Sequence, residues 1–175
     1  MKRKSGRRGG STDREKLEGK PVSASRSEMA EVVLPSQTNP VGKLLGGRVM
    51  HLVDIVGAMA AHRHANSLAM TVSVDYLDFR NSVSVGEIVI LKSQVNRAFR
   101  TSMEIGVEVY SENFLTKEKK HTTSAYITFV ALDEVTWKPK PVPPLMVKTA
   151  EERRRFREAG ERRKVRLALR AKSKG

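Results

Sequence analysis

The chain has no cysteine among its 175 residues. Disulfides, thiolate nucleophiles and cysteine-ligated zinc are excluded together. Long apolar runs are missing too. The longest mostly apolar stretch, around residues 52–61, is about half of what a bilayer span requires. The basic N-terminus is followed by no apolar segment, so no secretory signal is expected and the expected location is cytoplasmic. Aromatic residues make up only 5%, and Phe156 is the single one in the two basic ends. That leaves little for stacking nucleic-acid bases. There is no HExxH spacing, no GxSxG elbow and no Gly-rich phosphate loop, which removes three common catalytic signatures. His62 and His64 stand two apart on a predicted helix and point in different directions, so no metal is expected.

What is present suits one packed domain: 39% of residues are apolar and 30% are charged. The net charge is +14, and it belongs to the ends. Residues 1–27 carry nine basic and three acidic residues, and residues 151–175 carry eleven and four. The body between them is close to neutral, unlike a fold built to follow a phosphate backbone. Residues 1–27, rich in Gly, Ser and charge, read as a flexible basic tail. Residues 28–135 form the expected domain, 136–148 a Pro-rich linker, and 149–175 a basic C-terminal helix and tail.

Within the domain, Ala30–Leu34 reads as a short strand and Pro35–Pro40 as a polar turn. From Gly46-Gly47 to Asn66, apolar residues cover nearly the whole helical circumference, which predicts a helix buried on most sides. The period then changes to two over Met70–Phe79, Glu87–Arg97, Thr101–Ser111 and His121–Leu132. In the third run Met103, Ile105, Val107 and Val109 alternate with Glu104, Gly106, Glu108 and Tyr110, so one face is packed and one wet. The connections are short enough for antiparallel neighbours. An α+β architecture follows, an antiparallel sheet wrapped around a long central helix. The prolines of Lys138–Pro144 exclude both helix and ladder, and Thr149 caps the last helix with Glu151 and Glu152 in its first turn.

Asn39-Pro40-Val41-Gly42, Gly46-Gly47-Arg48-Val49-Met50 with Asp54, His62-Arg63-His64-Ala65, Thr71-Val72-Ser73-Val74-Asp75, Val85-Gly86-Glu87 and Val95 to Glu104 occur in an order that resembles the hotdog-fold acyl-coenzyme A thioesterases. The resemblance spans about residues 30–133, and Glu161–Leu167 is similar to a C-terminal segment of the family. It implies the hotdog fold, hydrolysis of a fatty acyl-CoA to free acid and CoA, and assembly from homodimers, often as a trimer of dimers. No cofactor is implied, since coenzyme A is part of the substrate. A lipid-transfer domain, which some members carry, is not expected.

Thioester hydrolysis needs a dipole aimed at the carbonyl oxygen and a base or nucleophile on the carbon. Gly46-Gly47 at a helix start supplies unpaired N–H groups, or else merely a tight turn. Asp54 is a carboxylate inside an apolar helix, which is costly unless solvated, paired or used. The resemblance assigns it the catalytic role, as base or nucleophile, and places Asn39 beside the glycine end, where it polarises the thioester or orients water. By residue type alone, Asn39 before proline is equally a turn former. Asp54 lies seven residues beyond Gly47, about 10 Å along the axis. One carbonyl cannot touch both groups of one helix, so the expected site joins Gly47 of one subunit to Asp54 of the other.

For coenzyme A the resemblance implies exposed strand edges at Val72-Ser73-Val74 and Thr101-Ser102-Met103, with Arg162, Arg163 and Lys164 for the phosphates and Arg100 as a further cation. A solvated charged face explains the arginine run equally well. Two other functions compete: an acyl-CoA-binding hotdog protein without turnover, and nucleic-acid binding through the basic tails. The second lacks a recognition module.

Overall fold

The computed structural model describes residues 17–172. The helix α1, Gly46–Ala65, buries Val49, Leu52, Val53, Val56, Gly57, Ala60, Ala61 and His64, spacings of three and four that put them on one face. Leu45 precedes it in an extended conformation, and Asn66 ends it in the left-handed region with φ 49°, a conformation that Asn tolerates better than most residues. Where the sheet comes closest, the helix carries small residues. A Cβ on Gly57 would stand 3.2 Å from the Phe129 ring. The opposite face stays open: Met50 is 50% and Ile55 38% exposed, with His51 and Asp54 between them. In this respect the sequence-based expectation of burial on most sides is corrected. One protomer covers a single face.

The strands β2 (Ser27–Val32), β3 (Leu68–Phe79), β4 (Ile88–Ala98), β5 (Ser102–Glu112) and β6 (Lys119–Leu132) form one antiparallel sheet in the order β2-β4-β5-β6-β3. Its inner side packs on α1 through Leu91, Val95, Ile105, Val107, Ile127 and Phe129, all essentially buried. This is the expected α+β hotdog arrangement of sheet and central helix. β2 and β3 are its edges. β3 exposes Met70, Val72, Val74, Tyr76 and Phe79, an apolar edge of the kind that ordinarily pairs with another chain. No helix among the described residues is long and apolar enough to cross a membrane.

Three expectations are corrected. Order begins before residue 28: β1, Lys20–Pro21, pairs in parallel with β7, Leu145–Met146, and Val22 and Ser25 are buried. The Val95 amide donates to Ser25 Oγ at 3.0 Å. One valine and one satisfied serine are too few to show a period, so this docking is a tertiary event. The tail expected over 1–27 is therefore corrected for residues 20–27, and its first sixteen residues lie outside those described. The Pro-rich segment is extended as expected but is no free linker. Val142 is fully buried and its amide donates to the Arg100 carbonyl at 3.0 Å. Finally, the face expected to be wet is covered where α2, Ala150–Lys172, crosses it, so that Glu104 is only 1% exposed.

α2 starts with a reciprocal cap. Glu152 N–H donates to Thr149 Oγ1 at 3.1 Å, and Thr149 N–H donates to Glu152 Oε2 at 3.1 Å. The helix is then held by charge. Arg155 pairs with Glu108 at 2.5 Å, Arg162 with Glu104 at 2.6 Å, and Arg166 with Asp75. Arg162 also stacks over Tyr126 at 3.6 Å and Arg97 over Phe156 at 4.2 Å.

Candidate active site

Asn39 opens the loop that leads into α1. Its Oδ1 accepts hydrogen bonds from the Val41 and Lys43 amides at 3.1 and 3.0 Å, and its own N–H donates to the Lys43 carbonyl at 2.8 Å. Gly42, at φ +71°, gives the turn a conformation that a side chain would strain. The carboxamide oxygen is therefore fixed by the backbone, and no described residue accepts from Nδ2. The turn and the functional reading of Asn39 coexist: the turn aims the amide. Asn39, Gly46, Val49, Phe79 and Thr122 line one cavity of about 390 Å³. Gly46 and Gly47 are exposed at the first helical positions, where no described group accepts from their amides. A Cβ on Gly47 would meet nothing within 4 Å, so the approach to the backbone is open.

Asp54 does not line that cavity. It is exposed on the open face of α1, and Thr71 Oγ1 on β3 donates to its Oδ1 at 2.5 Å. A register break between Thr71 and Ser73 lets the strand change face. Thr71 reaches α1, whereas Asp75 reaches Arg166 on the far side. Sequence reasoning quoted Thr71 without giving it a role. A threonine in a strand is ordinary, and only the register break turns it toward the carboxylate.

The residues expected to bind coenzyme A divide. Ser73, Val74 and Arg162 share a groove of about 630 Å³ with Val165, Arg166 and Leu169, between the β3 edge and the second half of α2. Val72 lies beside them on the edge, 44% exposed. The second group is corrected. Thr101, Ser102 and Met103 are not at an exposed edge, because β5 is paired on one side with β4 and on the other with β6. Met103 is fully buried in the core. Arg100 is exposed at the β4–β5 turn, and Arg163 stacks on Phe99 at 4.4 Å. The Arg162 guanidinium is held by both carboxylate oxygens of Glu104, and Lys164 by Glu161. Burial works to lower the pKa of Arg162, but the Glu104 carboxylate outweighs it and raises it.

The Thioesterase superfamily profile matches residues 41–115. A hexameric acyl-CoA thioesterase is 41% identical with a TM-score of 0.85, covering 89% of this chain and 99% of that one. The acyl-CoA hydrolase of Staphylococcus aureus is 31% identical with a TM-score of 0.82, covering 89% and 94%. Mouse acyl-coenzyme A thioesterase 11 is 39% identical over 141 residues, 80% of this chain and 23% of that protein. This chain thus spans about a quarter of the mouse relative. The chain belongs to the thioesterase superfamily. Within it, the chain is a member of the acyl-CoA thioesterase family.

Proposed function

We propose that the chain hydrolyses acyl-CoA thioesters to a free acid and CoA, at a site completed by a second copy of itself. One observation carries this reading. Asn39 and Gly46, the first residue of α1, line one cavity, while Asp54 lies outside it on a helix face that one protomer leaves open. A second copy covering that face and pairing along β3 would bring Asp54 of the partner subunit to the amides. Burying the exposed Met50, Ile55, Val72 and Val74 would drive the association.

In this site the thioester carbonyl oxygen accepts from the Gly46 and Gly47 amides and from Asn39 Nδ2. Negative charge that builds on that oxygen is stabilised by donors already in place. Asp54 takes a proton from water as the water oxygen bonds to the carbonyl carbon, and the C–S bond then breaks. The sulfur leaves as a thiolate and takes the proton held by Asp54, which gives the CoA thiol and restores the carboxylate. If the carboxylate attacks directly, an acyl–aspartyl anhydride forms first and water cleaves it. Thr71 orients the carboxylate in either route. The groove between β3 and α2 suits the pantetheine arm, with apolar walls at Val74, Val165 and Leu169 and arginines at its rim.

Two relatives support the reading. The Staphylococcus aureus hydrolase has been solved with butyryl-CoA and with CoA. Its alanine variants at an Asn, an Asp and a Thr stand 15 and 17 residues apart, the intervals from Asn39 to Asp54 and from Asp54 to Thr71. The hexameric relative fits an assembly of three dimers.

The test is thiol release from a panel of acyl-CoAs. Asp54→Asn nearly preserves shape and removes the base, so turnover should fall at least ~100-fold. Unchanged turnover would reject the role of Asp54. Tight acyl-CoA binding without turnover of any acyl-CoA in the wild type would favour a binding protein.

A further inference from the structure

A second cavity, of about 540 Å³, opens on the β2–β4 side of the sheet, at the edge opposite β3. Four cations reach it: Arg26, Arg63, Lys92 and Arg155, against two carboxylates, Glu28 and Glu108. Both acids already have partners. Glu28 pairs with Lys92 at 3.5 Å, and Glu108 accepts from Arg155 at 2.5 Å and from Tyr110 at 2.6 Å. Arg63 makes no ion pair among the described residues, and its Nη1 donates to the Arg26 carbonyl. The nearest carboxylate to Arg26 is that of Glu152, at 3.5 Å. Glu152 is already engaged, through Oε2, by the Lys148 and Thr149 amides. The Arg63 guanidinium is thus held on the Arg26 backbone with no carboxylate partner among the described residues, while the Arg26 guanidinium meets only Gln94 Oε1 at 3.4 Å and the shared Glu152.

Guanidinium forks match phosphate oxygens in geometry as well as charge. The volume lies within the range of small-ligand clefts and exceeds what one phosphate ion fills. No aromatic ring lines the cavity, so nothing there stacks a base. What it recognises is charge. The two basic ends of the sequence also converge here, Arg26 from the first and Arg155 from the last. Arg63 follows Asp54 by nine residues, about 13 Å along α1 and half a revolution round it. The cavity is therefore not part of the thioester site.

We propose that this cavity binds a phosphate-bearing anion of diphosphate size, at a site separate from the reacting carbonyl. The inference does not rest on the thioesterase reading, because binding is measured without turnover. Inorganic pyrophosphate, titrated calorimetrically at low salt, should bind the wild type and Asp54→Asn alike, and weaken as salt rises. Arg26→Gln with Arg63→Gln should lose at least about tenfold in affinity, and Lys92→Gln, on an exposed side chain, about threefold. Lys138→Gln, exposed and outside the cavity, should bind as the wild type does. Adenosine 3′,5′-bisphosphate and butyryl-CoA identify the source. If they displace pyrophosphate and the double variant raises KM, the site takes the nucleotide end of the substrate. If pyrophosphate binds alongside them, it takes a free phosphoanion. No binding by the wild type overturns the proposal, as does wild-type affinity in the double variant.

Discussion

Co-assembly of two inactive variants tests the shared site most directly. In the proposed site Asn39→Ala removes a donor to the carbonyl oxygen, which typically costs 100- to 1,000-fold in rate (on the order of 3–4 kcal/mol). Asp54→Asn removes the base at a cost of about 100-fold or more. If each site takes Asn39 from one protomer and Asp54 from the other, a mixed dimer has one site with both native groups and one with neither. Random pairing makes half the dimers mixed, so about a quarter of the wild-type rate should return, and about half in mixed dimers purified through two tags. Grouping dimers into hexamers does not change this, because each site still belongs to one two-fold pair. If both residues served one protomer, every site in the mixture would lack a group and the rate would stay near 1%. The contrast is about 25-fold, read by thiol release after co-expression. The structure favours the first outcome, because the cavity holding Asn39 and Gly46 excludes Asp54. Mixed dimers of proven composition with only parental activity would refute it.

Three further outcomes concern the fold. Arg162→Ala leaves Glu104, 1% exposed, with Asn96 as its remaining partner at 3.2 Å. Stability should drop by about 3–5 kcal/mol in urea denaturation, and a loss below about 1 would contradict the burial argument. Gly57→Ala places a methyl 3.2 Å from the Phe129 ring and should cost about 1–3 kcal/mol by overpacking, seen as a lower Tm. Amide hydrogen bonds, first that from Lys148, hold Glu152 below the ordinary carboxylate range. A depressed carboxylate stabilises the fold above its unfolded pKa, near 4.3, and loses that contribution as pH falls through the folded value. Glu152→Gln should therefore cost about 1 kcal/mol at neutral pH and flatten the acid limb below about pH 4.5. An unchanged acid limb would show that the cap carries no such linkage.

The four long strands were legible from a period of two, and α1 from its length and apolar content between Gly46 and Asn66, which did not tell which face would be covered. Asn66 was readable as its end because the left-handed backbone it adopts suits asparagine. Asn39 and Asp54 stood out as polar residues in places that ask for a reason. The failures have one cause. Val22 and Ser25 show no period and are bound by a strand far along the chain. Thr101–Met103 read as an edge because strand order is not encoded in any local pattern. The pairing of Arg162 with Glu104 was unreadable for the same reason, since it needs α2 to cross the sheet.

Periodicity, cap chemistry and the positions of glycine, proline and asparagine determined by themselves that this chain forms two long helices and an antiparallel sheet, since those preferences act over a few residues. Tertiary structure alone decided which strands became edges, which cations were neutralised, and that Thr71 would meet Asp54 while Asn39 would not share its cavity. Those outcomes depend on contacts between residues tens of positions apart, where register, twist and crossing angle set the distance and the local pattern carries no record of it.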